Sequence, residues 1–269
     1  MNFFLTYPCF DRFHYFRIVK FFLDNDRYID TAEPLDISIP LSDSKDNPRA
    51  WYVDQPRFEP VRTDHYTGSV KEGGSVNFRD VYFNPHGHGT HTECLGHITK
   101  EVHSINKNLQ HYFYTATLVS VLPKRVEQNG VVDFIVQSEQ ISDDYLKNEA
   151  LIVRTLPNKN NKKSANYSST NPTFFDVNLA DRLIENQVDH LLIDLPSVDR
   201  EEDGGELVFH HRFWEVPHKP NFKRTITELI FVDNAIPDGE YVLEIQTAPF
   251  ENDAAPSRPV LYAIKSKKG

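Results

Sequence analysis

Residues 86–97 read HGHGTHTECLGH, and the reading of this stretch decides both the fold and the chemistry. It holds His86, His88, His91, Glu93 and His97, four of the chain's 12 histidines with an acid among them. Neutral imidazole nitrogen together with a hard anionic oxygen suits Zn²⁺, Mn²⁺ or Fe²⁺ rather than Ca²⁺. In an extended segment residues two apart share a face, which places His91, Glu93 and His97 together and His86 with His88 on the other side. Gly87 and Gly89 flank His88 and permit a bulge or a close backbone approach to an ion. Histidines beside glycines are also found as plain surface-loop residues or as satisfied core groups, so the cluster alone leaves metal binding open.

Working outward, short β-like runs precede the stretch: Ile37 to Leu41, Ala50 to Val53, Val76 to Phe78 and Val81 to Phe83. After it, Tyr114 to Leu122 and Ala150 to Thr155 are apolar and β-branched, as buried central strands are. Asp176 is placed to cap a helix through Leu179, Leu183 and Ile184, and Val188 to Asp194 resumes as a strand. Further strands are expected at Thr225 to Val232, Tyr241 to Gln246 and Val260 to Ile264. The expected fold class is α/β, a single domain with a mixed, mainly β core and few helices, spanning 21–269 behind an N-terminal extension over 1–20. Residues 158–171 offer almost nothing apolar to bury and read as a mobile surface loop.

Composition narrows the function. A formal charge of −10 and the lack of a basic stripe argue against nucleic acid, leaving a small-molecule substrate as the expected partner. Cys9 and Cys94 are too few and too far apart for a disulfide framework or a thiolate zinc site, which fits a cytoplasmic protein. The aromatic N-terminus is broken by Pro8, Asp11, Arg12 and Arg17, so it reads neither as a signal peptide nor as a membrane span.

At residues 87–97 the sequence resembles the cyclase family of metal-dependent hydrolases, which includes kynurenine formamidase and isatin hydrolase and carries the signature H-x-G-T-H-x-D-x-P-x-H. Gly89-Thr90-His91 and the final His97 match it. The resemblance extends over roughly residues 33–265, through Leu35 to Leu41 and through Asp194-Leu-Pro-Ser-Val-Asp199. It implies a swivelling β/β/α fold, a homodimer, and one or two divalent ions, Zn²⁺ or Mn²⁺. His91 and Glu93 would be ligands, joined downstream by His211 in HHRFW and Glu228 in TITELIFV, with His210 and His218 competing for the place of His211. His97 would be the catalytic general acid and base. The implied reaction is hydrolysis of a small amide, formamide or cyclic imide by metal-activated water, as in an arylformamidase of tryptophan catabolism.

Three departures stand out: the family's first ligand falls on Gly87, its Asp is Glu93 and its Pro is Leu95. His86 or His88 would then have to fill the place that Gly87 leaves. The competing reading is an altered or inactive member of the same fold that binds a metal or a small carboxylate; a lyase using the same ion is a third.

Overall fold

The computed structural model describes residues 19–128 and 130–267. The expected extension over 1–20 therefore lies almost wholly outside the described residues; Lys20–Phe22 already pairs with Arg27–Asp30. No helix among the described residues is long and apolar enough to cross a membrane.

Eight strands make the main sheet: β1 (Leu35–Asp36), β2 (His91–Glu93), β3 (Phe113–Val121), β4 (Ala150–Thr155), β5 (His190–Ile193), β6 (Thr225–Glu228), β7 (Gly239–Thr247) and β8 (Ala254–Ala263). Seven of them run in the order β7-β3-β4-β5-β6-β2-β8, and β8 pairs back onto β7, so the sheet closes on itself; β1 adds to the outside of β8. The β3-β4-β5-β6 run is parallel and the rest antiparallel. Closure turns on β8, whose residues 254–256 face β2 while 257–263 face β7. Among the described residues three short α-helices, α1 (Ile105–Asn108), α2 (Asn178–Glu185) and α3 (Val208–Phe213), complete this mixed, mainly β single domain.

The alternation of side chains along the central strands builds two apolar layers. Ala150 and Ile152 of β4 point into the closed sheet with Leu118, Leu192 and Leu243. Leu151 and Val153 point outward, with Leu191, Ile193 and Ile226, against Leu183 of α2, Phe209 and Phe213 of α3, and Trp214 just after it. A central parallel strand covered on both faces has to read as a continuous apolar run, and ALIVRT does. Its one charge, Arg154, is buried but satisfied by Ser120, Asp238 and the carbonyls of Asp233 and Ile236.

The strands and the helix expected over 113–193 are found where the sequence places them, with the Asp176 carboxylate accepting from Asn178 N. The first third differs. Only Leu35–Asp36 and Arg79–Tyr82 pair as strands near the expected runs, and Trp51 and Tyr52 adopt left-handed backbone in a turn. Residues 158–171 pack rather than stand free. The Lys162 ammonium donates to the buried Asp194 carboxylate, Asn158 donates to Val232 O, and Tyr167 N donates to Arg49 O. Polar groups hold this segment, which apolar patterning does not register.

His190 at the start of β5 is buried, its Nδ1 2.8 Å from Thr225 Oγ1 and its ring 3.9 Å from that of Tyr114. Desolvation alone pushes its pKa down to about 3. Below its ordinary value near 6.5 the unfolded chain binds a proton that the folded one refuses, so stability falls as the pH drops from 6.5 towards 3, with a slope of at most about 1.4 kcal/mol per unit. Urea unfolding across this window is expected to show a shallower acid limb for His190→Gln than for the unmodified protein. Parallel curves would exclude the effect.

Candidate metal centre

The site lies on the outer face of the closed sheet, where α3 covers it. The antiparallel register sets His91 opposite Glu228 and Glu93 opposite Ile226, while on the other side Ala254 faces Glu93. His91, Glu93 and Glu228 therefore share one face by strand parity, and the hydroxyls of Thr92 and Thr227 meet at 2.8 Å on the other. His97 arrives differently: the Leu95–Ile98 stretch is a 3₁₀ turn that swings its ring back over Glu93. Leu95, in place of the family's Pro, is fully buried in the layer beneath the helices. At Gly96 a Cβ would sit 2.1 Å from His103 O, so only glycine fits this turn.

His86 and His88, grouped together by the parity argument, separate. His86 turns inward, with Nδ1 3.0 Å from Glu93 Oε2 and Nε2 2.8 Å from Asp253 Oδ2. His88 turns away: its Nδ1 accepts from Asn84 N and its Nε2 donates to Asp54 O, so both nitrogens are used. It borders a separate cavity of about 450 Å³ that contains neither ligand cluster. His88 is thus corrected to a structural residue. Gly87 between them is pressed against the Ala50–Val53 turn, where a Cβ would lie 2.7 Å from a Val53 methyl; the glycine makes room for protein, not for an ion.

His211 also needs correction. Neighbours on a helix point about 100° apart, so one of His210 and His211 must look away from the sheet. His210 is the buried one, its Nε2 3.1 Å from Glu93 Oε1 and its Nδ1 2.6 Å from Asp199 Oδ2. His211 packs near Val216 and lines an outer hollow with His218. Asp199, the last residue of the DLPSVD segment, also accepts from Phe209 N and His210 N, tying down the start of α3. Asp253, in the turn before β8, has no local sequence signal and enters through sheet pairing alone.

The electrostatics centre on Glu93. Burial pushes its carboxyl up, but the imidazoles of His97, His210 and His86 outweigh this and hold it well below the usual range. Burial opposes the charged forms of His86 and His210 too, yet their hydrogen bonds to Asp253 and Asp199 and the nearby Glu93 carboxylate raise both to about 10. Asp253, against burial, is held far down by His86 and His97. Burial, reinforced by the charge on Glu93, raises Glu228.

Within the cluster three buried atoms lack a well-directed hydrogen bond: His91 Nε2, Glu228 Oε1 and Glu93 Oε2, the last close to His86 Nδ1 but not bonded to it. His91 Nδ1 donates to Gly89 O at 2.9 Å, so in the neutral ring the lone pair is on Nε2, 3.5 Å from Glu228 Oε2. Buried polar atoms without partners are costly, and these belong to a set whose ligand atoms lie within 4.8 Å of one another. His86, Glu93 and His97 form a second such set sharing Glu93. The residues present fit a divalent cation, which would take up the lone pairs and replace imidazole protons as counter-charge. A cavity of about 370 Å³ opens onto the cluster, lined by Trp51, Val53, Arg200 and Leu207 together with His86, His97, His210 and Glu228.

A family model, Cyclase, matches residues 35–200, more than half of the chain. The chain belongs to the cyclase family. No curated protein sequence matches it. Among solved structures it is similar to a predicted metal-dependent hydrolase from Bacillus stearothermophilus, at 16% identity over 86% of this chain and 98% of that one with a TM-score of 0.57. Isatin hydrolase A from Labrenzia aggregata, bound to benzyl benzoate, aligns at 12% identity over 86% and 93% with a TM-score of 0.59. An isatin hydrolase bound to the product analogue thioisatinate aligns at 12% over 87% and 93%, with a TM-score of 0.56. At such identities the likeness is one of fold.

The motif's Thr90 is structural here: its hydroxyl donates to Leu229 O and accepts from Ile39 N, joining β2 to the chain just beyond Glu228. Thr90→Val leaves both buried backbone groups unpaired and is expected to cost about 1–3 kcal/mol by chemical denaturation. An unchanged midpoint would remove Thr90 from this role.

Proposed function

We propose that the protein is a metal-dependent hydrolase of a small non-peptide amide, formamide or cyclic imide, with an arylformamidase-like reaction as the leading form. The observation that carries this reading is the convergence of His91 Nε2, Glu93 Oε2 and Glu228 Oε1, none of them satisfied by a well-directed hydrogen bond, beside an open cavity. Hydrolysis of a ring amide is also what the isatin hydrolases of the same fold are named for. His91, Glu93, Glu228, His86 and His210 would hold the ion, Zn²⁺ or Mn²⁺ by their donor chemistry. When bound, a divalent cation supplies a Lewis acid for the scissile carbonyl and lowers the pKa of water.

The protein's own groups supply the rest. His97 is the most open member of the cluster, its side chain 31% exposed, and its Nδ1 lies 3.3 Å from Asp253 Oδ2. With a proton held there, Nε2 faces Glu93 and the cavity, where it can take a proton from the attacking water and return it to the departing nitrogen. Trp51, Val53 and Leu207 offer apolar walls for a flat or compact substrate and exclude water around it. A homodimer acting in the cytoplasm belongs to the same reading.

His97→Ala is expected to retain metal while losing turnover by a factor of at least about 100. His91→Ala and His210→Ala should lose metal, and His211→Ala should keep both metal and activity. Elemental analysis beside a panel of N-formyl aryl amines and cyclic imides reads all four. Hydrolysis by the metal-stripped protein at the full rate would overturn the reading, as would a metal-free native protein.

A further inference from the structure

Each imidazole of the cluster needs an acceptor on its outer nitrogen if the inner one is to face Glu93 or Glu228. For His91 that acceptor is Gly89 O, and for His210 it is Asp199. For His86 and His97 it is a single atom, Asp253 Oδ2, 2.8 Å from His86 Nε2 and 3.3 Å from His97 Nδ1. The nitrogens opposite, His86 Nδ1 and His97 Nε2, then lie 3.0 and 4.0 Å from the same Glu93 oxygen. The two rings stack, with centroids 4.2 Å apart and planes 29° apart, so a shift in one displaces the other.

Asp253 is itself firmly placed. Its carbonyl accepts from Cys94 N, the neighbouring Asn252 carbonyl accepts from Ile105 N, and Asn252 Nδ2 donates to Ala254 O. Its side chain is only 17% exposed, and the next residue pairs with Glu93 across the sheet. It lies outside residues 86–97 and beyond the part of the chain that the family model matches.

We propose that Asp253 is a positioning residue that makes His86 a workable ligand in place of the side chain Gly87 lacks, and that with the same carboxylate oxygen it aims His97 at the reacting groups. This rests on the metal reading above. One carboxylate then sets two rings with different tasks: His86 presents Nδ1 as a donor and His97 presents Nε2 for proton transfer. Moving the ligand back one residue, from 87 to 86, needs such an outer anchor, because His86 sits in a turn and not in the β2 ladder that fixes His91.

The test uses the full chain, its D253N and D253E forms, Zn²⁺ alone with a competing chelator, and histidine side-chain ¹⁵N spectra at one fixed neutral pH. H86Q and H97Q assign the signals. D253N is expected to weaken Zn²⁺ binding about 10- to 100-fold and to move the ring signals of both His86 and His97, leaving those of His91 and His210 in place. D253E should recover part of the lost affinity and return the two rings towards their original signals. Unmoved His86 and His97 signals with unchanged affinity in D253N overturn the proposal, as does a loss that D253E fails to reverse while His91 shifts as well. An unmodified protein that takes up no Zn²⁺ instead overturns the metal reading and the ligand role of His86. In that case the ring signals of the metal-free D253N form still decide whether Asp253 sets the two rings.

Discussion

A carboxylate that is 1% exposed, as Glu93 is, cannot stand in a protein interior without positive partners. Removing an ion from water costs several kcal/mol even after relaxation, and that cost is offset only by close, well-directed counter-charge. The structure meets this constraint by bringing His86, His97 and His210 around Glu93, with His91 and Glu228 alongside. Each imidazole then makes its own demand for an outer acceptor, and those demands reach into the fold: Asp199 anchors the start of α3, and Asp253 occupies the turn into β8. Backbone and site are thus held by the same bonds.

How much of this was legible follows from which interactions leave a local trace. The buried strands β3 and β4 and the helix after Asp176 are periodic apolar runs, and periodicity is a property of the sequence itself. Parity read His91 and Glu93 correctly because β2 is extended there, but it failed for His86 and His88, which lie in a turn where the two-residue repeat no longer applies. His97 shares the expected face through a 3₁₀ turn and not through strand parity. His210 and His211 are adjacent, and only the packing of α3 chooses between them. Asp253 was invisible because its position comes from a pairing across more than 150 residues.

The same distinction explains the segments whose structure departs from their composition. Ala50 to Val53 has strand-like composition, yet it forms a turn with left-handed Trp51 and Tyr52, because its work is to cover Gly87 and to line the cavity. Residues 158–171 lack apolar side chains, yet the buried Asp194 draws Lys162 down onto it and thereby fixes the loop beside β4. In both places a specific polar or steric contact outweighs average composition, and such contacts involve partners distant in sequence.

Burial also grades across the cluster. His91 and Glu228 are 0% and 4% exposed, His86 and Asp253 18% and 17%, and His97 31%. The closed end, where lone pairs lack partners and the dielectric is lowest, is where a cation gains most from fixed ligands, since its charge is least screened there. The open end faces the cavity, where His97 would meet substrate and solvent if it exchanges protons as proposed. The direction of this gradient follows from the architecture: β2 and β6 lie side by side within the closed sheet, while His97 stands on the turn that leaves it. On the reading proposed above, a cation would be held deep and His97, as the proton-transfer group, shallow, an order that follows from where this sheet places its residues.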